Sequence, residues 1–127
     1  MAYVKFNSNP KHSHVGDCTV RAISKALGQS WEQTYIGLAA QGLESCDMPS
    51  ANNVWGEYLR RHGFTRSIVP DSCPDCYTVR QFCRDHPVGT YVLALPKHAV
   101  AASGGDYFDS WDSGDEAVLY YWQRKDE

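Results

Sequence analysis

No apolar run in the 127-residue sequence approaches the ~18 residues that a bilayer-spanning helix requires. The opening segment, MAYVKFNSNPKHSH, has no long apolar stretch behind its basic residue, so no secretory signal is expected. Positive charge is also short. Lys and Arg number 12 against 15 Asp and Glu, the formal net charge is −3, and no more than two basic residues adjoin. That pattern lacks the footprint of a phosphate-binding surface and argues against nucleic acid as a partner. Repeats, low-complexity tracts and a recognisable linker are missing too, which predicts one domain over residues 1–127. A cytoplasmic protein with no membrane partner is the expectation. Its five cysteines, an odd number, are then read first as core thiols, metal ligands or a nucleophile, and only afterwards as disulfides.

What is present is the composition of an ordinary soluble globule, 43% apolar and 21% charged. Residues 1–16 show no sustained period and predict a short strand or extended arm, then a loop. Val20, Ile23, Ala26 and Leu27 recur at helical spacing, with Asp17 placed to cap the helix and Gly28 to stop it. Ser30 and Gln33 form a capping-box pattern before a second helix to about Gln41. A third helix is expected from a Ser50 cap to Gly63, with Val54, Trp55, Tyr58 and Leu59 on one face. TRSIV reads as a strand, residues 70–77 as a loop, and Thr78 as the cap of a short helix to about Asp85. Four strand-like runs follow, TYVLALP, HAVAAS, DYFDSWD and AVLYYWQ, and Gly104-Gly105 between the middle two signals a hairpin. Helices first and strands after predict an α+β fold, with N-terminal helices packed on a C-terminal antiparallel sheet.

Cys18 opens the first helix. Any single cysteine is a core residue by default, but here unsatisfied N–H groups and the helix dipole favour a thiolate. Asp17 opposes that effect unless its carboxylate is occupied as the cap. A nucleophilic cysteine also needs a base and a group to orient the base. If Gly104-Gly105 form a two-residue turn, Ser103 pairs with Asp106, Val100 faces Asp109 and His98 faces Trp111. His98 and Asp109 then share a face within hydrogen-bond reach, Trp111 is placed to shield that bond, and Asp112 points away. Asp112 replaces Asp109 as the third member only if the strand carries a bulge.

A cysteine opening the first helix, a histidine on a later strand and Asp109-Ser110-Trp111 on the next resemble the papain-like cysteine peptidases, in which that last segment often reads Asn-Ser-Trp. The GDC…RAI start looks closest to small bacterial and phage members. The resemblance covers most of the chain in topology and three short stretches in motif. It implies a single papain-like domain that acts as a cysteine protease, a thiol hydrolase without cofactor. As a peptidase or isopeptidase it would cleave an amide bond of a protein or peptide through a Cys18-His98-Asp109 triad and a thioester acyl-enzyme. The glutamine that stands six residues before the cysteine in papain is His12 here, so His12 or Asn9 is the candidate side-chain donor of the oxyanion hole, beside the Cys18 N–H. The short chain predicts no deep, walled groove. Two other classes remain open: an acyl-transfer enzyme (amidase or transglutaminase) on the same scaffold, and a non-catalytic binding protein.

Cys73, Cys76, Cys83 and His86 form a C-x2-C-x6-C-x2-H pattern compatible with tetrahedral zinc, since each pair can grip an ion from one turn. The plainer reading is a loop with two thiols and a short helix whose Cys83 faces the core. A redox role for CPDC ranks lower, because no thioredoxin-like βαβ unit precedes it. Trp31, Trp55 and Trp122 read as core. Arg60-Arg61-His62 reads as a solvated helix end, and Arg21 as the partner of a nearby carboxylate or a substrate contact. His14 reads as a surface loop residue.

Overall fold

The structure, a computed structural model, describes residues 2–70 and 76–125. In chain order the elements are β1 (Tyr3–Lys5), α1 (Cys18–Leu27), α2 (Trp31–Ser45), α3 (Asn52–Arg61), β2 (Phe64–Ile68), α4 (Val79–Asp85), β3 (Thr90–Leu95), β4 (His98–Ser103), β5 (Asp106–Asp109) and β6 (Tyr120–Arg124). The strands form one sheet in the order β1-β5-β4-β3-β6-β2. The class is α+β. The sheet, however, is mixed and not wholly C-terminal, which corrects the expectation. β1 runs parallel to β5, with Tyr3 opposite Tyr107 and Lys5 opposite Asp109, and β2 closes the far edge against β6. A strand distant in sequence is not bound to antiparallel pairing by a tight turn, and the open edge of β5 offers it a full set of partners.

Local chemistry accounts for most boundaries. Gly28 ends α1 in the left-handed region at φ 65°. The Ser30 hydroxyl accepts from the Gln33 N–H at the start of α2. That helix runs past Gln41 to Ser45. Gly42 does not break it but lets the chain return closely, where an added Cβ would lie 2.7 Å from the Asp47 carbonyl oxygen. α3 begins at Asn52 behind Ala51, and no side chain caps it, so Ser50 does not serve as the cap. Thr78 and Gln81 close a reciprocal capping box on α4.

The sheet is covered on both faces. Ile23 of α1, Leu38 of α2 and Trp55 and Leu59 of α3 pack with Val92, Ala99, Ala101 and Trp122. On the other face Val79 and Phe82 of α4 pack with Leu93, Leu95, Val100 and Tyr107. β4 alternates between the two clusters, as a strand buried on both sides must. Its small residues Ala99 and Ala101 let α1 lie close across it, and this sets Cys18 beside the first residue of β4. Among the described residues no helix is long and apolar enough to cross a membrane.

The β4–β5 hairpin has the register read from the sequence: Ser103 pairs with Asp106, Ala102 with Tyr107 and Ala101 with Phe108. Gly104 and Gly105 take φ 59° and 84°, as a two-residue turn requires. β5 stops at Asp109, earlier than the DYFDSWD run suggested, because the Asp109 carboxylate accepts the Ser110 N–H and turns the chain out of the sheet. Replacing both turn glycines by alanine is expected to destabilise the fold by roughly 1–2 kcal/mol per left-handed residue. Gly104→Asn, which suits the same turn, should leave the melting temperature nearly unchanged. Thermal denaturation of the two variants measures the difference.

Candidate active site

Cys18 is the first residue of α1, and its sulfur meets His98 at the start of β4. Burial pushes the thiol pKa up. The hydrogen bond and charge of His98, a hydrogen bond from the Ala99 backbone and the charge of Arg21 outweigh that, and the thiol ends below its ordinary value. His98 shows the complement. Burial alone depresses its pKa, while hydrogen bonds and charges from Asp109 and Cys18 raise it to about 9. The two shifts together favour a thiolate–imidazolium pair near neutral pH.

His98 Nε2 donates to Asp109 Oδ2 at 2.6 Å, which leaves Nδ1 as the ring nitrogen for the sulfur. Asp109 is 3% exposed and well held. Ser113 Oγ donates to the same oxygen at 2.7 Å, and the Ser110 N–H donates to the other at 2.8 Å. Its backbone carbonyl accepts from the Phe6 N–H and from the Tyr3 hydroxyl, so β1 anchors the strand end. The Trp111 ring stands 5.0 Å from the His98 ring, as the register implied. Asp112 points elsewhere. It accepts the Tyr107 hydroxyl at 2.5 Å and the Gly114 N–H at 3.0 Å, and lies 3.5 Å from Arg80.

Asp17 does not cap α1 with its side chain, contrary to the expectation. Its buried carboxylate turns inward to an ion pair with Arg21, one helical turn on, and accepts from Trp31 Nε1 at 2.9 Å and Asn9 Nδ2 at 3.2 Å. Arg21 is itself buried and reaches Asp109 Oδ1 at 3.6 Å with its second terminal nitrogen. Its two terminal nitrogens therefore bridge two carboxylates. Two results follow for Cys18. The negative charge beside it is neutralised, and the N–H groups of the first turn of α1 receive no side-chain cap.

Two clefts flank the thiol and share Gly16, Cys18, Lys97 and His98. One, about 760 Å³, is polar and includes Lys5, Asn7, His12, His14 and Ser110. The other, about 460 Å³, is lined by Trp55, Leu95, Leu119 and Tyr120. The short chain thus carries more of a groove than its length suggested. His12 lines the polar cleft. Asn9 does not, because it is buried with its amide committed to Asp17 and its carbonyl to the Lys11 N–H. Comparison with protein-family models, with curated proteins and with solved structures finds no match to this chain. Sequence reasoning missed Ser113, Asn7 and the anchoring by β1. It named Arg21 without seeing the bridge, although the Asp17–Arg21 spacing was a signal. Ser113 carried none.

Of the zinc candidates, Cys73 lies outside the described residues. Cys76 is disulfide-bonded, which corrects the expectation of reduced thiols there: a sulfur in a disulfide has no thiolate to offer a metal. Cys83 is buried in the α4 cluster, and burial pushes its pKa up to about 11. His86 Nδ1 donates to the Phe82 carbonyl at 2.9 Å, and its ring stacks on Phe82 at 3.9 Å. Among the described residues no group of three or more His, Cys, Asp or Glu is placed to hold a metal ion.

Iodoacetamide should label Cys18 at pH 7 faster than exposed Cys46 and far faster than Cys83, as mass spectrometry of partly labelled protein would show. His98→Ala removes the largest lowering influences on the thiol, leaving the Ala99 hydrogen bond and the Arg21 charge against burial, and should slow that labelling on the order of tenfold, a pKa rise of about one unit. The rate–pH profile should rise from acid as the thiol ionises, with a midpoint below that of a free thiol, and change again near pH 9 where His98 loses its proton. Equal, slow labelling at all free cysteines would contradict this.

Arg21→Met leaves two buried carboxylates without their cation. It is expected to destabilise the fold by about 3–5 kcal/mol, read as a fall in the melting temperature that Arg21→Lys only partly restores because lysine lacks the fork to reach both partners.

Proposed function

We propose that this chain is a papain-like cysteine hydrolase that cleaves an amide bond of a protein or peptide through a thioester acyl-enzyme. The observation that carries the reading is a lowered Cys18 thiol at a helix start, paired with a histidine whose other nitrogen donates at 2.6 Å to a buried carboxylate. The packing of α1 across the strand that carries His98 and the clefts on both sides of the sulfur support it.

The Cys18 thiolate attacks the scissile carbonyl carbon, and the carbonyl π electrons move onto oxygen. That oxyanion is met by the Cys18 N–H at the uncapped start of α1, with His12 on the cleft wall as second donor. His98, as imidazolium, gives its Nδ1 proton to the leaving nitrogen as the C–N bond breaks, and a thioester remains. Neutral His98 then takes a proton from water, the resulting hydroxide attacks the thioester, and the C–S bond breaks to return the thiolate. Asp109 keeps the proton on Nε2 throughout and stabilises the imidazolium. Every step is carried by protein groups and water.

A mass-encoded peptide library read by mass spectrometry tests the reading. Cleavage that disappears in Cys18→Ala, with an acyl adduct on Cys18 in the wild type, is the expected result, and its absence counts against hydrolysis. On any peptide cleaved, His98→Ala should lower kcat on the order of 10²–10⁴-fold. Asp109→Ala should lower kcat roughly tenfold or more while moving KM little, and Asp109→Asn less, because an amide still orients the ring. Asp112→Ala should leave kcat near wild type, since that carboxylate serves Tyr107 and Gly114. The reverse ranking of Asp109 and Asp112 would assign the orienting role to the wrong residue here.

A further inference from the structure

The chain is net acidic, yet among the described residues no aspartate or glutamate lines the larger cleft beside Cys18. Its charged lining is cationic: Lys5 from β1, Lys97 from the β3–β4 turn, and Arg21 beneath them. Arg21 is spent on Asp17 and Asp109. Lys5 and Lys97 are exposed, and neither has an ion-pair partner among the described residues. Two ammonium groups beside Cys18, with no ion pair among the described residues to neutralise them, make the cleft locally positive.

The backbone adds a second, independent observation. Lys97 sits in the left-handed region at φ 56°, between Pro96 and His98, at a turn position that glycine fills without strain. Only three non-glycine residues take positive φ among the described residues, and two of them, Lys97 and His12, line this cleft. Such residues persist where the surrounding structure holds them, and they cluster at ligand-binding positions. The two-residue turn that joins Leu95 to His98 requires this φ, and at that position the chain carries an exposed lysine. What it does is project a positive charge into the mouth of both clefts, next to His98.

We propose that Lys5 and Lys97 select an acidic peptide, one that carries side-chain carboxylates on the side of the scissile bond lying in the polar cleft. The assignment rests on the hydrolase reading and deepens it. A peptide is favoured over an oligonucleotide because the groove continues past the sulfur into a cleft where Trp55, Leu95, Leu119 and Tyr120 stand with Ser50 and Asn52, a mostly apolar lining with polar groups that suits a peptide side chain and its backbone more than a further phosphate.

A matched pair of thiol-reactive peptides tests this on the whole chain without a known substrate. Iodoacetyl-Glu-Glu-amide and iodoacetyl-Gln-Gln-amide share a reactive head and differ in charge, and the rate of Cys18 modification by each is read by mass spectrometry. At low ionic strength the acidic reagent should react faster. Unit charges about 6 Å apart in water-like surroundings give roughly threefold per lysine, so the acidic-to-neutral ratio should drop roughly tenfold in Lys5→Gln/Lys97→Gly. In the wild type it should shrink as salt is raised. Glycine suits the backbone at position 97, and the melting temperature of Lys97→Gly should not fall below that of the wild type.

A fast Cys18 whose ratio does not change with the lysines overturns the acidic assignment and leaves the hydrolase reading standing. Slow reaction of wild-type Cys18 with both reagents overturns the hydrolase reading and the assignment with it. Stronger protection of Cys18 from iodoacetamide by oligothymidylate than by oligoglutamate of equal charge overturns the choice of peptide over nucleic acid.

Discussion

The guanidinium of Arg21 holds two carboxylates that belong to different parts of the chain. Asp17 stands in the loop that enters α1 and Asp109 at the end of β5, and both are at least 95% buried. Neither is tolerable there as an uncompensated charge. The cation that makes their burial possible also fixes the distance between the helix carrying the thiol and the carboxylate orienting the histidine. Through Asp17 the same cluster reaches Trp31 on α2 and Asn9 in the N-terminal loop. The relative placement of Cys18, His98 and Asp109 is therefore set by charge neutralisation inside the protein as much as by apolar packing around it.

The inward turn of Asp17 has an electrostatic side. An aspartate next to a cysteine ordinarily raises the thiol pKa, and an aspartate capping a helix ordinarily satisfies its first N–H groups. Committed to Arg21, Asn9 and Trp31, this one does neither. The helix keeps its unsatisfied donors beside the sulfur, where in the proposed reaction negative charge develops. A local rule of helix capping is broken at the place where breaking it leaves those donors open, in line with the general tendency of such exceptions to mark functional positions.

The sequence made legible what local rules decide. Helical spacing at Val20, Ile23 and Ala26, the caps at Ser30 and Thr78 and the glycine pair at 104 and 105 are all short-range signals, and strand parity carried the hairpin register on to the His98–Asp109 contact. Features set by distant residues were not legible. The three residues of β1 have no period to display, and nothing in them announces a parallel partner more than a hundred positions away. Ser113 looks like any loop serine until the chain turns at Ser110 and brings it to Asp109. Asn9 and Asn7 are two residues apart in a loop with no regular structure, and only the fold decides which faces the cleft.

The parallel pairing of β1 with β5 has a consequence in time. Cys18 leaves a ribosome well before Asp109 does. The β1–β5 pair joins Tyr3–Lys5 to Tyr107–Asp109, so it closes only after β5 has been made. Until then His98 lacks the carboxylate that accepts its Nε2 proton. The His98–Asp109 contact thus arrives with the synthesis of β5, and a product that ends before Asp109 carries Cys18 and His98 without it.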